Sequence, residues 1–328
     1  MIPLRILGVG KAVPSQIVTS RDLDLRLGYP VGYTLEKSGV AARFMATPGE
    51  NQAQLAADAL RDALAHANLP AASVDLVISA CAVPQQALPN TAGFIAMHAG
   101  LPDGTASFDV NASCLGFVAA LRVAAGLLGS NGYRRIAVVA SDLASRGVDW
   151  SDAESSLIFG DGAAAVIVDA GDGGSGSGIR AFRMETYPAG RAFCEIRGGG
   201  TERNPRAGAD PSDYLFHMDG KAVFKLASKV MPDFLDQLMA GCEGGLDGVD
   251  VVVPHQASAL ALRHIAKLLN VQDDKIVRIY EQHGNQVAAS IPFALHHAMT
   301  SGLARQGSRV LLLGTAAGLT IGGMVLDL

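Results

Sequence analysis

The sequence predicts an α/β protein made of two similar halves, each a mixed sheet covered by helices. Three observations carry that expectation. First, continuous apolar runs at residues 74–82 (VDLVISACA) and 135–141 (RIAVVAS) alternate with helix-period segments such as 51–68 (NQAQLAADALRDALAHAN). Runs apolar on every position suit parallel strands buried on both faces. Second, the pattern repeats: residues 248–254 (GVDVVVP) match 73–79 (SVDLVIS), and 309–314 (RVLLLG) match 135–140 (RIAVVA). Asp75 precedes Arg135 by 60 positions and Asp250 precedes Arg309 by 59. Matched strands at matched spacing argue for duplication. Third, residues 170–178 (AGDGGSGSG) read as a linker, dividing the chain into halves 1–170 and 171–328.

Taken in order, residues 4–10 read as a strand entering Gly8-Val9-Gly10. Lys11 to Pro14 follow where a dinucleotide fingerprint needs a third glycine and a helix, so that fingerprint is rejected. Residues 19–27 and 33–38 read as short helices, the second stopped by Gly39. Residues 51–68 form a helix with a polar N-cap, ended by Pro70. Helix 91–99, strand 107–110 and helix 115–129 (LGFVAALRVAAGLLG) follow; the last has Arg122 as its single charge and belongs inside the protein. Residues 158–168 give a Gly-rich turn and a strand, and 260–269 a helix.

Bulk properties narrow the function. The 328 residues are 49% hydrophobic and 17% charged, with 38 Gly and net charge −5. This is a core-rich globular chain, and its charge argues against nucleic acid as a partner. No apolar run approaches the ~18 residues of a membrane span, and the start of the sequence lacks the pattern of a signal peptide. Cys81, Cys114, Cys194 and Cys242 are widely spaced without a CxxC, which suits reduced thiols in a cytoplasm.

Three stretches place polar residues beside buried elements. Cys114, in 109–117 (DVNASCLGF), sits where a strand stops and the apolar helix begins. A thiol at a helix N-terminus meets unpaired N–H groups and the positive macrodipole end, which favour thiolate. Free cysteine is also among the most buried residue types, and on this stretch alone packing is the favoured reading. His255 follows a buried strand directly, at the strand end where α/β sheets build sites. Asn285 lies in a Gly-containing turn, 35 positions after Asp250, while Cys114 lies 39 after Asp75. Singly, the His reads as a hydrogen-bonded structural residue and the Asn as turn chemistry. At repeat-related positions the three read as a thiol nucleophile with two polar partners. His296-His297 has no spacing partner for a metal, and Cys81 and Cys242 read as packing.

DVNASCLGF, VVPHQAS (252–258) and HGNQVAASIP (283–292), in that order, closely resemble the β-ketoacyl-acyl carrier protein synthase III group of the thiolase superfamily. IFGDGAA (158–164) and GTAAGLTIGG (314–323) fit the same pattern, and the resemblance spans the chain. It implies a thiolase-like αβαβα fold and a homodimer. It also implies decarboxylating Claisen condensation, in fatty acid or related secondary metabolism, with no metal or redox cofactor. Acyl-coenzyme A or acyl-carrier protein and malonyl-carrier protein would be the substrates. Cys114, His255 and Asn285 would be catalytic, and the backbone N–H groups of Cys114 and Ala317 would form the oxyanion hole. Leu88, Phe159 and Thr315 would line the acyl pocket. Tyr33, Lys37, Lys225, Arg263 and Lys267 would meet the donor or carrier.

Departures from the family pattern bear on substrate. Tyr33 and Ala153 stand where a Trp and an Arg often clamp coenzyme A, Lys37 replaces a common Arg, and Leu260 replaces a basic residue of the carrier face. Leu88 and Thr315-Ala316-Ala317 remove aromatic bulk, which suggests a pocket open to longer or different acyl groups. Residues 187–216 are irregular and suit a flap over an acyl tunnel. Two alternatives remain: acyl transfer to another nucleophile on the same scaffold, and a non-catalytic chain-binding subunit, against which the retained nucleophile speaks. A degradative thiolase would need a second Cys near 314–318, which is absent there.

Overall fold

The computed structural model describes residues 1–130, 132–171 and 176–328, so positions 172–175 of the expected linker lie outside the described residues. Two five-stranded sheets dominate. The first runs Arg5–Ala12, Gly162–Asp169, Ile136–Asp142, Leu76–Ser79, Ala106–Asp109. The second runs Ile2–Pro3, Gly178–Thr186, Thr320–Asp327, Arg309–Ala316, Val251–Pro254. Four consecutive strands repeat in order and sense. In each sheet two antiparallel pairings lead to one parallel pairing, ending at Leu76–Ser79 in the first and Val251–Pro254 in the second.

The matched motifs hold matched bonds. The Asp75 carboxylate accepts from the Arg135 N–H and its own N–H donates to the Arg135 carbonyl; Asp250 makes both bonds with Arg309. The first strand of the chain, Ile2–Pro3, crosses to pair with Gly178–Thr186 in the second sheet.

Helices complete five layers. Gln52–His66 and Thr91–Ala99 cover the outer face of the first sheet, while Gly220–Met239 and Ala259–Leu269 cover that of the second. Between the sheets lie Gly116–Gly129 and Ser290–Thr300. The central helix Gly116–Gly129 buries eight of its residues on most of its circumference, as its composition requires.

The glycines near the start have a packing reason. A Cβ on Gly8 would overlap the Ala63 carbonyl, and one on Gly10 would overlap the Ala59 carbonyl. The Ala-rich helix Gln52–His66 therefore rests on bare backbone.

Candidate active site

Cys114 sits two residues ahead of the central helix, whose N-cap is Leu115. The backbone N–H groups of Ala317 and of Cys114 itself act to lower its pKa. The expected thiolate preference is reversed here. Burial, then the Asp142 carboxylate, then the Cys194 thiol push the Cys114 thiol up to about 12, against those two N–H groups. Desolvation outweighs the helix end, so the resting group is a neutral thiol.

His255 follows Val251–Pro254, is 4% exposed, and is held by its N–H donating to the Leu313 carbonyl at 2.8 Å. Burial pushes its imidazole down to about 4, so it is neutral near pH 7. Its Nδ1 has no hydrogen-bond partner. Gly314 explains how it meets the thiol. A Cβ there would lie 2.8 Å from the His255 Cβ and 3.3 Å from Leu115 Cδ2, so only bare backbone separates His255 from the residue beside Cys114.

Asn285 joins from the second half. Its Nδ2 donates to the Ala257 carbonyl at 3.3 Å, two residues past His255, and its Oδ1 accepts from the Val287 N–H at 2.9 Å. Its backbone pairs with Phe159: the Asn285 N–H donates to the Ile158 carbonyl at 2.8 Å, and the Gly160 N–H to the Asn285 carbonyl at 3.1 Å. Gly284 has φ 66°, and a Cβ there would come 2.8 Å from the Ile158 carbonyl oxygen. The two glycine turns thus interlock. Phe159 is buried beside Asn285 and meets Phe216 edge-on at 5.1 Å between centroids. Phe216 closes the 187–216 segment, whose end is tied down by the Phe216 N–H donating to the Gly147 carbonyl at 2.7 Å.

Thr315 is half-buried and pairs with Ile321 in the strand leading to Ala317. Leu88, expected in the acyl pocket, is 83% exposed.

The residues expected to meet the donor or carrier lie on three abutting helices. Tyr33 and Lys37 occupy Tyr33–Ser38, where the Tyr33 ring lies 4.6 Å from Tyr29 and the Lys37 ammonium is 5.7 Å from its centroid. Gly39 packs against Ala259, which begins the helix bearing the exposed Arg263 and Lys267. Phe224 meets His264 at 4.8 Å and joins that helix to the one bearing the exposed Lys225. Leu260, 54% exposed, interrupts this cationic face with apolar surface.

Several supporting residues surround the site, of which Arg43 and Asp142 were not singled out from the sequence. The fully buried Arg43 guanidinium donates to the Leu157 and Phe159 carbonyls, holding the turn that pairs with Asn285. The Asp161 carboxylate accepts from the Ala46 and Ser145 N–H groups and the Ser145 hydroxyl. Acids ending apolar strands or opening Gly turns were the available signal. Backbone strain gave none: Ser113, Val287 and Leu319 have positive φ and flank Cys114, Asn285 and Ala317. Such outliers cluster at functional sites. No group of three or more His, Cys, Asp or Glu suited to a metal ion occurs among the described residues.

A five-layered αβαβα molecule with a cysteine at the centre of two repeated sheets defines the thiolase-like class. The profile for 3-oxoacyl-[acyl-carrier-protein] synthase III matches residues 108–188, and that for its C-terminal region matches 242–328. The chain is 32% identical to β-ketoacyl-[acyl-carrier-protein] synthase III of Rhizobium rhizogenes, covering 99% of each. It is 33% identical to that of Neisseria gonorrhoeae, covering 98% of each. The crystal structure of the Aquifex aeolicus 3-oxoacyl-[acyl-carrier-protein] synthase III superposes with a TM-score of 0.89 at 28% identity, over 99% of this chain and 100% of that one. The priming β-ketosynthase of the R1128 polyketide pathway gives 0.89 at 28%, over 98% and 95%. The chain belongs to the β-ketoacyl-[acyl-carrier-protein] synthase III family.

Proposed function

We propose that this chain is a decarboxylating condensing enzyme that takes an acyl group onto Cys114 and joins it to a malonyl-type thioester. The hydrogen bond from Asn285 to the His255 loop, with only the Gly314 backbone between His255 and the residue beside Cys114, supports the reading. In the first step the Cys114 sulfur attacks the donor thioester carbonyl. The C–S bond of the donor breaks, the thiol proton leaves with the released donor thiol, and the enzyme holds a new thioester. The Cys114 and Ala317 N–H groups face the tetrahedral oxyanion.

In the second step a malonyl thioester loses carbon dioxide and its electron pair becomes an enolate. Neutral His255 and the Asn285 amide donate hydrogen bonds to the thioester oxygen as charge develops there. The enolate carbon attacks the acyl-Cys114 carbonyl, the C–S bond breaks, and the sulfur recovers a proton. The chemistry uses only these donors and the thiol. Phe159 and Thr315 border the acyl chain, and Tyr33, Lys37, Lys225, Arg263 and Lys267 meet the donor or carrier protein.

The enzyme is an acyltransferase that works as a homodimer, in which Leu88 of each chain reaches its partner. Exposed apolar side chains at Val83 and Leu88, in one loop, support that seam. We place the enzyme in the cytoplasm on its four free cysteines, and no helix among the described residues is long and apolar enough to cross a membrane. The two halves, 1–170 and 171–328, are duplicates of one unit.

Intact mass after mixing with acyl-coenzyme A or acyl-carrier protein tests the reading. One acyl increment on the wild type and none on Cys114→Ser is expected. Absence of an adduct with any donor contradicts it.

A further inference from the structure

Strand Ile136–Asp142 delivers one acid into the centre of the molecule. Asp142 is 2% exposed, and its carboxylate accepts three backbone N–H bonds. Oδ1 takes the Ala82 and Val83 N–H groups, each at 3.1 Å; Oδ2 takes the Ala288 N–H at 3.0 Å and shares the Ala82 N–H at 3.4 Å. Oδ1 thus serves the loop behind Cys114, while Oδ2 links that loop to the Asn285 side. The Ala82 carbonyl accepts from Asn111 Nδ2 at 2.9 Å, and Asn111 Oδ1 accepts from the Ser113 N–H at 2.9 Å, immediately before Cys114. On the other side, Ala288 follows Val287, whose N–H donates to Asn285 Oδ1 and whose φ is 53°.

No cation pairs with Asp142 among the described ion pairs. The titratable groups that face it are the Cys81 and Cys114 thiols and the Asp161 carboxylate. A buried anion without a cation costs more than a neutral acceptor would, so scaffolding alone does not account for it.

We propose that Asp142 is a positioning residue for condensation: its carboxylate locks the Asn285 turn to the loop behind Cys114. The proposal rests on the condensing chemistry above. Burial pushes this carboxyl up to about 7 in spite of its three donors. The lock is therefore complete in the anion and weakens as pH falls through that value, because a protonated oxygen presents a hydrogen to an N–H.

Asp142→Asn tests the lock. Its amide oxygen satisfies Ala82 and Val83, while its NH2 confronts the Ala288 N–H, so the Asn285 side loosens. Alkylation of Cys114 by iodoacetamide, followed by mass, needs no substrate and should reach the wild-type extent, which shows the thiol in place. In single turnovers, condensation should fall at least about tenfold while acylation stays within about threefold. Equal loss in both steps, or undiminished condensation, overturns the proposal. If the variant does not fold, the wild type still decides. Its ratio of condensation to acylation should fall between pH 8 and 5.5, and a flat ratio overturns the proposal. A wild type that alkylates normally but takes no acyl group would instead sink the condensing reading alone.

Discussion

Cys114 and His255 are both held in their neutral forms by burial, the thiol pushed up to about 12 and the imidazole down to about 4. A thiol–imidazolium pair of the protease kind is therefore not the resting state, and His255 is suited to donate a hydrogen bond, not to carry charge. Its linkage to folding has a defined sign. The native pKa lies below the ordinary value of 6.5, so the unfolded chain binds the proton first as pH falls. Stability is lost between about pH 6.5 and 4, by up to about 3 kcal/mol from this residue. Asp142, raised to about 7, acts in the opposite direction. Denaturant midpoints should show His255→Gln losing less stability than wild type between pH 7 and 4; an identical loss would mean that the imidazole is not desolvated. Condensation by His255→Gln should fall about 10²–10³-fold with acylation kept, since a donor to a developing oxyanion has that worth. Single-turnover rates for the two steps check it.

At the level of elements, glycines set the approach distances that assemble the site. Gly314 lets a strand run against His255 and Leu115, and Gly284 and Gly160 let two turns interlock. Gly314→Ala should displace His255 and lower condensation by at least about tenfold, measured against acylation in the same preparation. Gly10→Ala acts elsewhere: it drives a methyl into helix Gln52–His66 and should cost about 2–3 kcal/mol in denaturant unfolding with no preference between catalytic steps. Much of this level was legible. Thr91–Ala99 was bounded correctly, and the buried strands and the apolar central helix announced themselves by unbroken apolar runs. The expected strand at 74–82 is shorter in the structure, Leu76–Ser79, because its last residues turn to bind Asp142 and Asn111. Helix Gly220–Met239 went unread: its first half is not buried and Pro232 interrupts it, although Met231, Phe234, Leu235, Leu238 and Met239 keep a helical spacing. The thiolate preference was misjudged because a sequence shows a helix start but not how deeply the sulfur is buried.

Over the whole molecule, duplication is the organising fact. Two sheets of the same strand order face each other across Gly116–Gly129 and Ser290–Thr300, and the site forms where the strand ends of both meet. The repeat was readable from Asp75–Arg135 and Asp250–Arg309; Arg43 and Asp142 were not, since the groups they hold are backbone groups distant in sequence. The proposed homodimer is tested at the same scale. Leu88→Asp should sediment as a monomer where the wild type sediments as a dimer, and a variant that sediments with the wild type would remove Leu88 from the seam. The division of labour between the halves is tested most directly by preloading Asn285→Ala with an acyl group and mixing it with malonyl-carrier protein. The account predicts one acyl increment on Cys114, retained after mixing, with carbon dioxide release and β-ketoacyl product reduced at least about a hundredfold from wild type. A variant that condenses at the wild-type rate, or that fails to take up the acyl group at all, would contradict it.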